Sequence, residues 1–298
     1  MQAGHVVGVQ VTRLPERSLL TDAGLRAGDR LIVAGHVGDH GMASMSRRHG
    51  RRRDRFHGRR RGRLGGRAPM KLISWGLSDV GRKRDHNEDA FLVLQEEQLF
   101  CVADGIGGHA CGEVASRIAV EEMAEFYRLT GRDEEATWPF REDRARGYDE
   151  NRLAVAMKLA NLRIHERARS DGRLNGMGTT LVCAHFSRRG EMLVGNVGDS
   201  RAYLYREGRL RQLTEDHSLL AEYVRQANPS AAQIEAFPHK NVIVRAMGMR
   251  DAVDVDVMRE PSREGDLLLL CCDGLSGMVP DERIAELLRV SRGDLRRA

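Results

Sequence analysis

Two apolar runs in this chain, "LFCVADG" at 99–105 and "LLLLCCDG" at 267–274, each stop at an aspartate followed by glycine. An unbroken apolar run of this length, without alternation, is the pattern of a strand covered on both faces. An acid at the end of such a strand limits what the chain can fold into. Beside a core an ionised carboxylate must be paired, hydrogen-bonded or bound to a cation, because desolvating it alone is costly. No Lys or Arg lies within five residues of Asp104 or Asp273 on either side. The glycine that follows lets the backbone turn tightly and leaves its carbonyl approachable. A carboxylate beside an exposed carbonyl is a hard oxygen pair of the kind that Mg²⁺ or Mn²⁺ takes.

The motif has company. "RDHNED" (84–89) sets Glu88 and Asp89 immediately before the strand-like "AFLVL", and "GNVGDSR" closes another apolar run with Asp199. A lone Asp-Gly is commonly only a turn. Four acidic strand ends on one scaffold point instead to a binuclear metal centre. A rival motif overlaps the first site: "GIGGHA" (105–110) matches G-x-G-x-x-A between a strand and a helix. Asp104 would turn a negative charge on a pyrophosphate there. About twenty residues on, the chain is still amphipathic helix, with no strand-end acid for a ribose, so the dinucleotide reading fails.

Around these sites the texture is that of short strands and two long helices. "KLISWGLSD", "DAFLVLQEE" and "QLFCVAD" read as strands. "GEVASRIAVEEMAEFYRL" (112–129) has helical spacing, with Val114, Ile118, Met123 and Phe126 on one stripe, and a second helix is predicted over roughly 151–169. Four strands follow in quick succession over 178–216, the last two joined by a hairpin at Gly208. A helical stretch after "DHSLLAEYV", strands near 242–245, 252–258 and 266–272, and a helix at "PDERIAELLRV" complete the pattern. Strands in consecutive runs, with the long helices together, make this α+β with largely antiparallel sheet.

Charge divides the chain. Residues 1–69 carry 15 Arg and 5 acids, a net +10, whereas 70–298 carry 33 bases and 38 acids, a net −5. Eleven of the 21 residues in 47–67 are Arg, which predicts a disordered leader over 1–69 and a domain over 71–298. "AGLRAGDRLIVAG" (23–35) has the look of a PDZ fragment, too short for a whole domain, and Met70 opens a second clean start. Dense Arg could engage nucleic acid, but the plainer reading is a solvated tail, or upstream sequence that is never translated, and nucleic acid is not expected as a partner of the domain. No run of about 18 uncharged apolar residues signals a membrane span, and the N-terminal residues lack the charged, apolar and small-residue segments of a signal peptide. The five cysteines lack C-x-x-C spacing and sit mostly in apolar runs, which suits a reducing cytoplasm.

Read together, "SDVGRKRDHNEDAF", "CVADGIGGHACGEVAS", "GMGTTLV", "GNVGDSRAYLYREGRLRQLTEDHS", "VIVRAMG" and "GDLLLLCCDGLSGMVPDERI" resemble, in order, the metal-dependent PPM (type 2C) serine/threonine phosphatases of bacteria. The resemblance covers essentially all of 71–290. It implies a central two-sheet antiparallel β-sandwich flanked by helices, with two Mn²⁺ or Mg²⁺ ions in a cleft at one end. By position, Asp104 bridges both ions and Gly105 offers its carbonyl. Glu88 serves the second ion with Asp89 in support, Asp273 serves the first, and Asp199 helps hold a third. Arg84 corresponds to the phosphate-binding arginine, whose planar fork suits phosphate oxygens. The implied reaction is hydrolysis of phosphoserine and phosphothreonine in proteins phosphorylated by bacterial kinases, by metal-activated water and without a covalent nucleophile. Ser200 and Cys101 are then structural. Two departures stand out. Ile106 occupies the place of a histidine that eukaryotic members use as a candidate acid, with His109 nearby. The family's closing helix and strand, whose "GGxDNIT" aspartate completes the first metal site, have no counterpart before Ala298, so the expected domain is C-terminally incomplete. That gap also supports an alternative: a catalytically impaired module that binds phosphoproteins or regulates a partner.

Overall fold

The computed structural model describes residues 4–13, 70–80, 86–107, 110–132, 137–187 and 189–291. Its strands are β1 (Gly4–Arg13), β2 (Met70–Asp79), β3 (Ala90–Leu94), β4 (Leu99–Ala103) and the two-residue β5 (Gly105–Ile106). The helices α1 (Ala110–Arg132) and α2 (Tyr148–Ser170) come next. Then follow β6 (Gly178–Thr179), β7 (Leu181–Phe186), β8 (Glu191–Val197), β9 (Arg201–Arg206) and β10 (Arg209–Gln212). Two short helices, α3 (Leu219–Ala227) and α4 (Ala231–Glu235), precede β11 (Asp256–Pro261) and β12 (Leu267–Cys271). The turn of helix α5 (Asp273–Ser276) and the helix α6 (Asp281–Ser291) end the described chain.

Two five-stranded antiparallel sheets face each other, in the orders β10-β9-β12-β1-β2 and β11-β8-β7-β4-β3. The core between them takes Val7, Val9 and Val11 of β1, Leu72 of β2 and Leu268 and Leu270 of β12. Against these pack Phe100 and Val102 of β4 and Val182 and Ala184 of β7. The alternate residues of the central strands are buried too. Leu99, Cys101 and Ala103 of β4 lie under Ala115, Ala119 and Met123 of α1 and Leu153 and Met157 of α2. Leu267, Leu269 and Cys271 of β12 lie under Ile284 and Leu288 of α6. Burial on both faces is why these strands read as unbroken apolar runs, and it makes the molecule four layers deep: helix, sheet, sheet, helix.

The helical spacing of α1 is observed, with Met123 and Phe126 buried and Val114 and Ile118 half-buried against the same cluster. The hairpin between β9 and β10 turns through Glu207 and Gly208, both at positive φ (51° and 81°), a two-residue turn matching the twist of its strands. The strands are tied across the layers as well as within them. Arg206 on β9 donates Nε and Nη2 to Asp266 (2.8 Å each) and Nη1 to Glu260 on β11 (2.7 Å), joining the two sheets at one end.

Three sequence expectations are corrected. Gly4–Arg13 is not part of a leader: it is an interior strand, paired with β2 over ten residues and with β12 over five. Its valines alternate, which suits one buried face, but its partners lie far away in sequence. The remainder of the expected leader, with the Arg-rich stretch and the PDZ-like fragment, lies outside the described residues. The segment 242–245 is not a strand. Only Ile243 bridges, to Ser218, while the Val242 carbonyl and the Val244 amide bond the backbone of Leu219 and His217. The strand expected over 252–258 runs instead from Asp256 to Pro261, alongside β8.

Candidate metal centre

β4 and β12 belong to opposite sheets and finish at the same end of the sandwich. Asp104 follows β4 directly, and Asp273 opens α5 with Cys272 as its N-cap residue. The turn between β8 and β9 brings Asp199 to that end, and the segment before β3 brings Glu88 and Asp89. Burial raises the pKa of Asp104 well above the ordinary carboxylate value, and the charges of Asp89, Asp273 and Asp199 add to it. Burial, with Asp273 and Asp216, pushes Asp199 up to about 6. The ligating atoms of Asp89, Asp104 and Cys272 all lie within 4.8 Å of one another, and the Cys272 thiol donates to Asp89 Oδ2 at 3.2 Å. Asp89, Asp199 and Asp273 therefore all lie close enough to Asp104 to act on its charge. Packed acids repel unless a cation lies among them, and these oxygen donors fit a hard divalent ion.

The backbone around Asp104 is fixed by residues that sequence reasoning passed over. The Asp104 amide donates to Thr180 Oγ1 (3.0 Å), and its carbonyl accepts from the Thr180 amide (2.9 Å) and from Thr179 Oγ1 (2.8 Å). Thr180 Oγ1 in turn shares a proton with Ser200 Oγ at 2.7 Å, both groups buried. "GTT" and "GDS" thus meet at the strand end, with Ser200 hydrogen-bonded to Thr180. The signal was the motifs themselves; which backbone group they hold shows only in the tertiary structure.

Gly105 is hemmed in. A Cβ there would collide with the Glu88 carbonyl and with the backbone of Gly112, so no other residue lets the start of α1 and the Glu88 loop close on this turn. Ser116 of α1 donates to the same Glu88 carbonyl at 2.6 Å. On the other side, Gly198 sits at φ 110° with Thr180 where its Cβ would be, and its amide donates to Nδ1 of the buried His217 (3.0 Å). His217 Nε2 lies 3.0 Å from Asp256, so the Asp199 turn is braced from β11. Arg201 clamps Asp216 with Nε and Nη2 (2.9 and 2.6 Å) and reaches the hydroxyl of Tyr203, which donates to Asp281 on α6. Arg84 and His109 lie outside the described residues.

Residues 81–293 match the family model described as protein phosphatase 2C. The serine/threonine phosphatase stp of Listeria monocytogenes is 39% identical over 222 residues, covering 72% of this chain and 82% of that protein. Among solved structures, the serine/threonine phosphatase PstP/Ppp of Mycobacterium tuberculosis superposes with a TM-score of 0.61 at 32% identity, over 71% of this chain and 83% of that one. A catalytic domain of PstP in complex with two manganese ions gives 0.59 at 31% identity, over 73% and 85%. Sandwich, strand-end acids and ordered motifs agree with these likenesses, and the chain belongs to the protein phosphatase 2C family.

Proposed function

We propose that this chain hydrolyses phosphoserine and phosphothreonine in proteins, at two divalent cations, Mn²⁺ or Mg²⁺, held between β4 and β12. The observation that carries the reading is Asp104, a half-buried acid at the end of β4 whose carboxylate lies within 4.8 Å of ligand atoms of Asp89 and Cys272, with Asp273 and Asp199 close enough to act on its charge. Asp104 would face both ions, with the Gly105 carbonyl and Glu88 on one and Asp273 on the other. Asp89 supports Asp104, and Asp199 stands where a third ion would be bound. When bound, the ions supply a water acidified to hydroxide near neutral pH and positive charge against the phosphoryl oxygens.

The chain's own residues do the rest. Thr179, Thr180 and Ser200 hold the Asp104 turn still, and the crowding at Gly105 keeps its carbonyl in one place. Arg84 is proposed to grip the phosphate oxygens through its guanidinium fork. Ile106 can donate no proton, so we assign protonation of the serine or threonine leaving group to water. The substrates would be phosphoproteins made by serine/threonine kinases. Five free thiols suit an intracellular setting, and among the described residues no helix is long and apolar enough to cross a membrane.

The test is phosphate release from a phosphothreonine peptide with Mn²⁺, with EDTA, and for Asp104→Asn. Turnover that needs Mn²⁺ and vanishes in the variant is expected. A folded chain that binds the peptide without releasing phosphate would replace the enzyme with a phosphoprotein-binding module.

A further inference from the structure

β1 lies outside the segment that matches the phosphatase family, which starts at residue 81, yet it occupies the interior of a sheet. It separates β12 from β2 in the strand order. β2 pairs with β1 from Gly4↔Asp79 to Arg13↔Met70, and β12 pairs with it from Val6↔Cys271 to Gln10↔Leu267. Without it, β12 and β2 would be two edges one strand-width apart, about 10 Å, each with unpaired amides and carbonyls. Val7 and Val9 are fully buried and Val11 is 1% exposed, at the centre of the inter-sheet core. The Val11 amide and carbonyl also close the turn before β12, bonding Asp266 O and Gly265 N at 3.0 Å each. At its other end, β1 runs beside α5, the turn that opens with Asp273.

We propose that Gly4–Arg13 is an obligatory strand of the phosphatase domain, supplied from outside the family-matched region, and that it holds Asp273 in place for metal. β12 leads directly into Asp273, and β1 pairs with it up to Cys271, two residues short of that acid. A domain boundary drawn from similarity would discard this strand and open the sandwich. The fold limb of the proposal stands on pairing and burial alone. The metal limb rests on the two-metal reading of the site, so the two fail separately.

The first experiment is thermal melting of the full chain carrying Val9→Asp, with Val290→Asp on the exposed face of α6 as control. A carboxylate buried at position 9 without a partner is expected to lower Tm by about 10 °C or more, or to prevent folding, with the control close to the parent. An unchanged Tm for Val9→Asp would overturn the proposal. The second is the pair Gln10→Cys/Ile73→Cys. These residues are register partners on one face of the sheet, with Cβ atoms within about 5.5 Å. Mild oxidation should link them within a monomer, read by peptide mass. A missing link, or one joining two molecules, would overturn the assignment of the strand to its own chain. For the metal limb, Mn²⁺ is titrated calorimetrically into full-length Val9→Ala at a temperature where it is folded. Affinity weakened several-fold is expected; unchanged affinity alongside a lowered Tm would overturn the coupling to Asp273.

Discussion

β12 is flanked by an aspartate at each end, Asp266 before it and Asp273 after it, and the two could hardly be treated more differently. Asp266, 1% exposed, precedes the strand; Arg206 grips both its oxygens and the Arg263 amide adds a third bond at 2.7 Å. Asp273 follows the strand and faces Asp104 and Asp199. The first acid is neutralised by the protein and ties strands together. The second belongs to a group that the protein brings together against its own repulsion, which makes sense only if something cationic completes it. An acid at a strand end is not structural or functional by position alone; the identity of its partner decides.

This contrast can be broken by experiment. The largest effect is expected for Asp104→Asn, which should lower Mn²⁺-dependent turnover by more than about a hundredfold, since even indirect partners of a metal matter about 10–100-fold. Melting of the metal-free variant should match or exceed the parent, because a repelling charge is gone. A large loss of stability would mean that Asp104 is held by a hidden cation. At the other end, Asp266→Ala should leave turnover near the parent value well below Tm while costing about 2–3 kcal/mol. Arg206 loses its bidentate partner and keeps Glu260. In melting this is a drop of about 4–12 °C; a catalytic defect without such a drop would erase the distinction.

Thr180→Val tests the brace between the two. It leaves the Asp104 amide and Ser200 without their shared hydroxyl and should cost about 1–3 kcal/mol, with weakened Mn²⁺ binding in calorimetry. The smallest effect expected is one of pH. The acid groups Asp104 and Asp199 have pKa values raised in the fold, so their contribution favours the folded state at low pH and is lost as pH rises through the folded pKa, about 6 for Asp199. In EDTA, Tm should therefore fall between about pH 4 and 6, the span from the ordinary to the folded pKa of Asp199, and Mn²⁺ should flatten or reverse that trend. A metal-free Tm that rises over this window would contradict the crowding of acids.

Much of the site was legible in the chain. Asp104, Asp199 and Asp273 stood out because a carboxylate after an apolar strand conflicts with its local surroundings, and local conflict is visible without coordinates. The two long helices and the β9–β10 hairpin were legible for the same reason: period and turn chemistry act over a few residues. Strand 242–245 was misread because a β-branched run has the propensity for a strand wherever it lies. Here its backbone groups are taken by His217 and Leu219 rather than by a sheet edge. The Thr179–Thr180–Ser200 brace was not legible, since Thr180 and Asp104 are 76 residues apart and only folding makes them neighbours.

β1 marks the division most clearly. By itself the sequence left the valine segment hidden in an expected leader, and determined a pair of fully apolar strands and acids at four strand ends. Each follows from burial and turn preferences acting over a few neighbouring residues. Only the tertiary structure decided that the valine segment sits between β12 and β2, and that Asp89, Asp199 and Asp273 come close enough to Asp104 to act on its charge. Strand pairing is a choice among distant partners, made by whichever register buries the apolar face and satisfies the backbone together, and neither can be counted until the whole sheet exists.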